Sequence, residues 1–336
     1  MKKTRRLLSL IRPGAMAVAA LFLAASFTCL FPLAAEAQGP KGNIEITVGS
    51  GAGGTPDIMM RRLAKILNEE KIVSQTIVVQ NRAGGSHTVA ANYVLGKKGA
   101  DNVLLTIAMP IITTPIVQGF PNTYELATPL AVFAQTNILL LTNPDSPFKS
   151  LKDLVAAAKK TPRGIKVAGS QVGGTDSMLT GLLETGAGIQ LNYIPYDSGG
   201  SATASFLGKN VDLLFLTLDE ALPLMQTNKV KPLAIMTKER RTEKEFKDIP
   251  TAKEQGVDIV YQQIWGIAGP PEMNPALVAW WDDKLKKAVN TKAWKNMAAE
   301  NFLGTAYYDS KTAPAELKAT YEICLKILRD LGISKK

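Results

Sequence analysis

The sequence has almost none of the residues that build metal or redox sites. It contains one histidine, His87, and two cysteines, Cys29 and Cys324. A single histidine excludes a multi-histidine metal site. Cys29 lies in an N-terminal export segment, so the rest of the chain holds no pair of cysteines for a disulfide. Cys324 shares an apolar helical face with leucines and is expected to be buried. We predict no metal and no cofactor.

Catalytic patterns are equally scarce. The chain has no G-x-S-x-G nucleophile elbow. His87 is the one histidine that could serve as a base, and adjacent side chains such as Ser86 do not face each other on a helix. Acidic residues occur where helix starts and turns commonly place them: Asp57, Asp176, Asp197, Asp219 and Glu220. These patterns favour a protein that is not an enzyme, and an exported hydrolase remains the alternative.

The N-terminal segment has the pattern of an export signal. It begins with basic residues, continues with an apolar run over residues 15–33, and ends in Ala35-Glu36-Ala37, a small-x-small cleavage pattern. We predict that residues 1–37 form a signal peptide that is removed, which places the mature protein in the periplasm. The alternative is a membrane anchor, because an apolar run of this length nearly spans a bilayer.

The chain beyond the signal is basic, which suits small anions, nucleic acid or a membrane surface. Five of the 39 Lys and Arg residues and one of the 29 Asp and Glu residues precede Gln38. We find no run of Lys and Arg with interleaved aromatic residues, so we predict no nucleic-acid partner. The tryptophans near the C-terminus lie at helical spacing and are expected in the core: Trp280, Trp281 and Trp294.

Strands alternate with helices along the chain. Residues 44–49 alternate as a strand does, residues 50–54 are rich in glycine, and residues 56–67 are apolar at helical spacing with Thr55 as the expected N-cap. Similar units follow, with a second strand over 76–80. This order predicts an α/β fold with mostly parallel sheets and helices on both faces.

Four glycine- or serine-rich turns follow predicted strands: Ser50–Gly54, Gly84–His87, Gly173–Thr175 and Ser198–Ser201. In a parallel sheet such turns lie at the carboxyl ends of the strands, where ligands bind. Main-chain N–H groups and the positive end of the following helix make an anion site there. We expect Gly54 and Gly174 to require positive φ, so that valine at either position would be harmful.

The first turn also fits the dinucleotide pattern G-x-G-x-x-G through Gly49, Gly51 and Gly54. That fingerprint requires an acidic residue at the end of the next strand, to bind a ribose hydroxyl. Here the strand is followed by Asn81 and Arg82. The missing carboxylate and the export signal argue against a nucleotide enzyme.

The motifs around these turns resemble those of the receptors of the tripartite tricarboxylate transporter family, the Bug-type solute-binding proteins. They are A52-G-G-x-x-D57, V78-V-Q-N-R-A-G-G85, A168-G-S-x-x-G-G-T175, Y196-D-S-G-G200 and I249-P-T-A-K-E-Q-G256. The resemblance extends over essentially the whole chain after the signal, in the same order.

The resemblance implies a two-lobed α/β fold of the type II periplasmic-binding-protein class, with a ligand cleft between the lobes. Lobe 1 would comprise residues 43–140 and 263–336, and lobe 2 residues 141–262. By motif, the implied ligand contacts are Ser50, Gly51, Ala52, Gly53, Gly54, Asp57, Gly84, Gly85, Ser86, Ser170, Gly174, Thr175, Ser198 and Gly199.

The chain departs from the family pattern at two places. Gly49 and Ser50 stand where the family usually has proline and an aromatic residue, so we expect more room for a longer or aromatic ligand. Leu216 and Thr217 stand where the family often has a polar pair, which removes one polar contact from lobe 2. Asp57 matches the motif, but its carboxylate would repel an anion, and we expect it to bond turn amides instead.

Receptors of this kind generally bind a small organic carboxylate and deliver it to a membrane permease. The resemblance therefore implies these two partners for this chain, which we expect to be a monomer. A second role is equally compatible with the sequence, namely a sensory co-receptor that docks on a membrane signalling protein when ligand is bound.

We predict that the mature protein begins at Gln38, because cleavage follows the Ala35-x-Ala37 pattern. N-terminal sequencing of the protein recovered from the periplasm measures this directly. Recovery of an intact Met1–Ala37 segment would show that the segment is an anchor and not a removed signal.

Overall fold

The computed structural model describes residues 39–170, 174–304 and 306–336. The predicted signal peptide lies outside the described residues. Gly39–Lys336 forms one compact unit. Among the described residues, no helix combines the length and the apolar character needed to cross a membrane.

Nine strands occur within the described residues. They are β1 (Ile44–Val48), β2 (Ile77–Asn81), β3 (Val103–Ile107), β4 (Thr128–Thr142), β5 (Lys166–Gly169), β6 (Asn192–Pro195), β7 (Leu213–Thr217), β8 (Lys231–Ile235) and β9 (Gln262–Gly269).

The helices of the same part of the chain fall between and after these strands. They are α1 (Thr55–Glu69), α2 (Thr88–Leu95), α3 (Met109–Gln118), α4 (Thr123–Leu126), α5 (Leu151–Lys160), α6 (Thr175–Ala187), α7 (Gly199–Leu207), α8 (Leu218–Gln226), α9 (Pro275–Asn290), α10 (Lys292–Glu300) and α11 (Ala313–Asp330), with a short 3-10 helix at Lys253–Gln255.

The long strand β4 joins two halves of the sheet. The strand order is β2-β1-β3-β9-β4-β7-β5-β6, and β8 also pairs with β4. Residues Thr128 to Asn137 of β4 pair with β9, whereas Ile138 to Thr142 pair with β7. The chain therefore passes from one half to the other within a single strand. We call β1, β2, β3 and β9 the first half, and β5, β6, β7 and β8 the second half.

The pairing is more mixed than the predicted mostly parallel sheet. β1 pairs in parallel with β2 and β3, and β5 pairs in parallel with β6 and β7. β3 with β9, and β4 with β7, β8 and β9, are antiparallel. Parallel pairs come from the predicted strand–helix–strand units. The antiparallel pairs involve β4 and β9, which the sequence reasoning did not identify as strands.

Pro110 lies in the first turn of α3. A proline is well tolerated there because the first N–H groups of a helix have no intrahelical partner. Pro115 also lies within α3.

The core confirms the sequence expectations for the large apolar residues. Trp281 is fully buried, Trp280 and Trp294 are buried, and Cys324 is buried on α11. Desolvation raises the pKa of the Cys324 thiol to about 12, so this cysteine is a neutral packing residue. One buried cluster extends from Ile107 through the second half to α11. The helix α11 contacts α3, α6 and β4.

Gly266 of β9 pairs with Val132 of β4, and we predict that Gly266→Ala lowers the free energy of unfolding by roughly 1–3 kcal/mol. A Cβ atom there would overlap the carbonyl oxygen of Ala131 and lie 3.2 Å from the Cα of Val132. Gly200→Ala is the matched control, because the nearest atom to its Cβ is 3.8 Å away.

Denaturant unfolding of both variants gives the measurement. Gly200→Ala should leave stability unchanged or slightly higher, since alanine is the better helix residue. Equal stability of Gly266→Ala and the parent protein would show that β4 and β9 separate easily at this point.

Candidate functional site

Within the described residues, the predicted turns lie at the carboxyl ends of parallel strands in both halves, and Gly173 of the third turn lies outside those residues. β1 leads into the turn before α1, and β2 leads into the turn before α2. In the second half, β5, β6 and β7 lead into α6, α7 and α8. Each of these helices begins at the edge where its strand ends, so several positive helix ends share one edge of each half.

In the first turn, the backbone differs from the predicted one. Gly54 is the N-cap of α1 with φ −70°, and Thr55 is the first helical residue and not the N-cap. Gly53 has the positive φ, at +78°. In the second half, Gly174 is the N-cap of α6 with φ −76°. The expectation of positive φ at Gly54 and Gly174 was therefore wrong, because both are extended caps.

Asp57 holds the first turn together from the helix that follows it. The Gly53 N–H donates to Asp57 Oδ2 at 2.9 Å, and Asn81 Nδ2 donates to Oδ1 at 2.9 Å. Arg61 Nε donates to Oδ2 at 3.1 Å. Burial raises the pKa of this carboxyl group. The hydrogen bonds from Arg61, Gly53 and Asn81 lower it by more than burial raises it, so the pKa lies below the ordinary 3.8. Asp57 bonds turn amides, as expected of a structural residue.

The same contacts determine which amides of the turn are free for a ligand. The Gly53 N–H is bonded to Asp57, and the Gly54 N–H donates to the Gly51 carbonyl oxygen at 3.2 Å. The N–H groups of Gly51 and Ala52 have no partner among the described residues. Both residues are exposed. An anion at this turn would therefore be bound by Gly51 and Ala52 in preference to Gly53 and Gly54.

The second turn has four successive residues with positive φ. The values are +133° at Gly84, +54° at Gly85, +48° at Ser86 and +70° at His87. The two non-glycine residues occupy a conformation that ordinary side chains rarely adopt, and such strain concentrates at functional sites. Thr114 Oγ1 donates to the Ser86 carbonyl oxygen at 2.9 Å and attaches the turn to α3.

His87 fills the space beside Gly49. A Cβ atom at Gly49 would lie 2.6 Å from both Cβ and Nδ1 of His87, so glycine is required there. We expected the loss of bulk at Gly49 and Ser50 to leave more room for ligand. At Gly49 the imidazole ring of His87 occupies the space, whereas the expectation at Ser50 stays a prediction.

A cavity of about 300 Å³ lies on the other side of this turn. Its walls come from α2, α3 and α4 and the connections between them, including His87, Asn92, Thr114, Phe120 and Leu126. Because no residue of the second half lines it, the cavity is separate from the space between the two halves.

In the second half, Asp176 has the same role that Asp57 has in the first. Its Oδ2 accepts from the Ser170 N–H at 2.9 Å and from Ser170 Oγ at 3.1 Å. Tyr193 donates to the Ser170 carbonyl oxygen at 2.7 Å. Desolvation raises the pKa of Asp176, and the Ser170 bonds oppose this effect. Ser170 is thus held by its own lobe through main chain and side chain.

The other predicted residues of this half have different environments. Thr175 Oγ1 lies 3.2 Å from the Tyr261 hydroxyl, next to the start of β9. Ser198 is the N-cap of α7 and accepts from the Ser201 N–H at 3.2 Å. A side chain at Gly199 would meet open space, so the backbone of this turn is accessible.

Glu220, which the sequence analysis noted as an acidic residue but not as a ligand contact, links the two halves. Thr55 Oγ1, at the start of α1, donates to Glu220 Oε1 in the first turn of α8. Glu220 Oε2 accepts from the Thr217 N–H at 3.3 Å. The sequence offered a partial signal, because Thr217 and Glu220 have capping-box spacing. The ligand contacts of the fourteen predicted residues stay a prediction, and so do the lobe boundaries.

Metal binding has no support in the geometry. Within residues 39–170, 174–304 and 306–336, no group of three or more His, Cys, Asp and Glu side chains is placed to hold an ion. Asp57 is bonded to Arg61 and turn amides, and Asp176 to Ser170.

Comparison with known sequences decides the family. The sequence model described as "Tripartite tricarboxylate transporter family receptor" matches residues 59–322. The chain belongs to this family. The resemblance inferred from the turn motifs is thereby confirmed. The family consists of solute-binding receptors that act in the periplasm, and not of enzymes.

Individual relatives agree with this assignment. Protein BugT of Bordetella pertussis is 26% identical over 286 residues, which cover 83% of this receptor and 85% of BugT. Among solved structures, Rpa4515 of R. palustris with adipate has a TM-score of 0.81 and 23% identity, covering 88% of this receptor and 99% of that chain. MatC of Rhodopseudomonas palustris with bound malate has a TM-score of 0.75 and 21% identity, covering 87% and 99%.

These structural neighbours establish the fold of the receptor. It is the two-lobed α/β fold of the periplasmic binding proteins, as predicted.

We predict that Gly53→Val lowers the free energy of unfolding of the receptor by about 1–2 kcal/mol, the usual cost of a left-handed conformation for an L-residue. Gly51→Val is the matched control in the same turn, because its φ lies outside that region and its Cβ would meet open space. Thermal unfolding of the two variants measures the difference. Equal losses would show that the turn readjusts its backbone freely.

We further predict that His87 makes the receptor less stable in mild acid. Burial lowers the pKa of His87 from 6.5 to about 4. Below pH 6.5 the unfolded chain binds a proton that the folded protein excludes, so stability present above 6.5 is lost as the pH falls toward 4. The loss should reach on the order of 2 kcal/mol by about pH 5.

Urea unfolding of the parent protein and of His87→Phe, at neutral pH and near pH 5, isolates this effect, because phenylalanine does not titrate. As the pH falls from neutral to about 5, the free energy of unfolding of the parent protein should decrease more than that of His87→Phe. A ring-proton NMR signal of His87 titrating near 6.5 would contradict the prediction.

Proposed function

We propose that this protein is an exported receptor that captures a small organic carboxylate between its lobes and delivers it to a tripartite tricarboxylate-type permease. The observation that supports this most directly is the pair of N–H groups at Gly51 and Ala52, which are exposed and without a partner among the described residues. They lie at the positive end of α1, a position suited to a carboxylate group.

The energetics of such a site need no arginine or lysine. Each charge-assisted hydrogen bond from an amide contributes about 1.5–3 kcal/mol, and the helix end adds about 0.3–1 kcal/mol. The nearest guanidinium on α1, that of Arg61, is already bonded to Asp57 at 2.9 Å. The main chain therefore supplies the attraction, and closure of the lobes excludes water from it.

Ligand binding in this account involves both lobes. We place lobe 1 at residues 43–140 and 263–336 and lobe 2 at 141–262, with the turns before α6 and α7 facing the first turn. The structural neighbours with adipate and with malate support a carboxylate ligand for this fold. The family description supports a permease as the partner.

Ligand retained by the purified protein is the first measurement. The receptor purified from the periplasm is denatured, and the released small molecules are identified by mass spectrometry. A thermal-shift panel follows, with carboxylates of increasing chain length and the methyl ester of each acid as the matched control.

We expect one or more carboxylates to stabilise the receptor and their esters to have no effect, because the ester removes the charge that the amides bind. Stabilisation by neutral sugars or by cationic amino compounds, with none by carboxylates, would overturn the proposed function.

A further inference from the structure

Glu220 is an acidic side chain that extends from α8 in the second half to Thr55 at the start of α1 in the first. Its Oε1 accepts a hydrogen bond from Thr55 Oγ1, and its Oε2 accepts from the Thr217 N–H at 3.3 Å. The N-terminal ends of α1 and α8 therefore converge on one carboxylate group. Thr55 directly follows the turn whose free N–H groups are proposed to bind ligand.

The other acids of the site do not share this position. Asp57 is paired with Arg61, and Asp176 bonds Ser170 within the second lobe. Glu220 has no Lys or Arg within salt-bridge distance in the described part of the chain. Its negative charge is thus compensated only by hydrogen bonds and helix ends.

The electrostatic environment of Glu220 already disfavours negative charge. Desolvation raises the pKa of Glu220, and the neighbouring Asp219 raises it further, against the hydrogen bonds from Thr55 and Thr217. A second anionic group brought into this space by a ligand would add to that cost, since like charges in a partly desolvated cleft repel strongly.

We propose that Glu220 is a specificity-determining residue, which disfavours a second carboxylate on the ligand and favours a hydroxyl or ammonium donor in its place. The ligand carboxylate is bound by the amides of the first turn, and its other end meets Glu220 Oε1, which exchanges the Thr55 donor for a ligand donor. This inference rests on the proposed function, because it assumes that a carboxylate is bound in the cleft.

The substitution Glu220→Gln removes the charge with little change of shape. The single amide oxygen of glutamine can accept from the Thr217 N–H, and its NH2 group can donate to Thr55 Oγ1, which as a hydroxyl also accepts. Glutamine is also accepted in a capping box. Glu69→Gln is the matched control, because it makes the same charge change at the opposite end of α1, on a side chain that is 66% exposed.

A second variant, Thr55→Val, separates the charge from the contact between the lobes. It removes the hydroxyl that donates to Glu220 and leaves the carboxylate in place. The preference for a hydroxy or amino acid over the diacid should therefore persist in Thr55→Val and be lost in Glu220→Gln. This variant also keeps the proposal testable if Glu220→Gln folds poorly.

The measurement is calorimetric binding of equal-length probes over a rising series of pH values at which both carboxyl groups of a diacid are ionised. The series is needed because the pKa of Glu220 is raised by burial, and a protonated Glu220 would donate to a second carboxylate and not repel it. The probes are glutarate, 5-hydroxypentanoate and 5-aminopentanoate, with adipate, 6-hydroxyhexanoate and 6-aminohexanoate as the longer set. We expect the parent protein, Glu69→Gln and Thr55→Val to prefer the hydroxy or amino acid of a set over its diacid. Glu220→Gln should reduce that preference about tenfold.

The outcomes distinguish failure of the role proposed for Glu220 from failure of the proposed receptor function. If carboxylates bind and the preference is the same in Glu220→Gln as in the parent protein, the role of Glu220 is refuted and the proposed function stands. Removing the Thr55 hydroxyl raises the pKa of Glu220 further, so loss of the preference in Thr55→Val refutes the role of Glu220 only if the preference does not return as the pH is raised. If no carboxylate, including any retained ligand, binds the parent protein, the proposed function fails.

Discussion

The hydrogen bond from the Gly53 N–H to the Asp57 carboxylate determines the rest of the candidate site. It closes the first turn from the helix that follows, and it places Gly53 at positive φ while Gly54 caps α1. The N–H groups of Gly51 and Ala52 are left without a partner among the described residues, and both residues are exposed. The charge that could repel an anion is neutralised by the same arrangement, because Asp57 is paired with Arg61.

The second lobe repeats this arrangement with other residues. Asp176 closes the turn at Ser170, and Glu220 bonds the Thr217 N–H at the start of α8. Carboxylates that bond turn amides serve as fixed supports, and the helix ends beside them supply the attraction for an anion. Glu220 differs from the others because it also accepts a bond from the opposite lobe. The space between the two halves thus combines several positive helix ends with one acid, Glu220, that is bonded from both halves.

Much of this could be predicted from the sequence, since strands that alternate with helices at short spacing have a strong period and each glycine-rich turn follows a strand. Strand β4 was missed because Thr128–Thr142 consists of two short apolar runs separated by the polar residues 135–137, and periodicity alone cannot assign a short continuous apolar run. The sequence also did not show which glycine of the first turn has positive φ. Gly53 and Gly54 are adjacent and equivalent in sequence, and it is Gly53, whose N–H donates to Asp57, that has it. The space at Gly49 was misjudged since His87 fills it only through tertiary packing.

The crystal structure of the receptor with its tightest-binding carboxylate tests the central claim most directly. The account predicts that one carboxylate group accepts hydrogen bonds from the N–H groups of Gly51 and Ala52, at about 2.7–3.2 Å. Asp57 should keep its bond to Gly53 in that complex. A carboxylate bound instead by lysine or arginine side chains away from this turn would contradict a main-chain anion site.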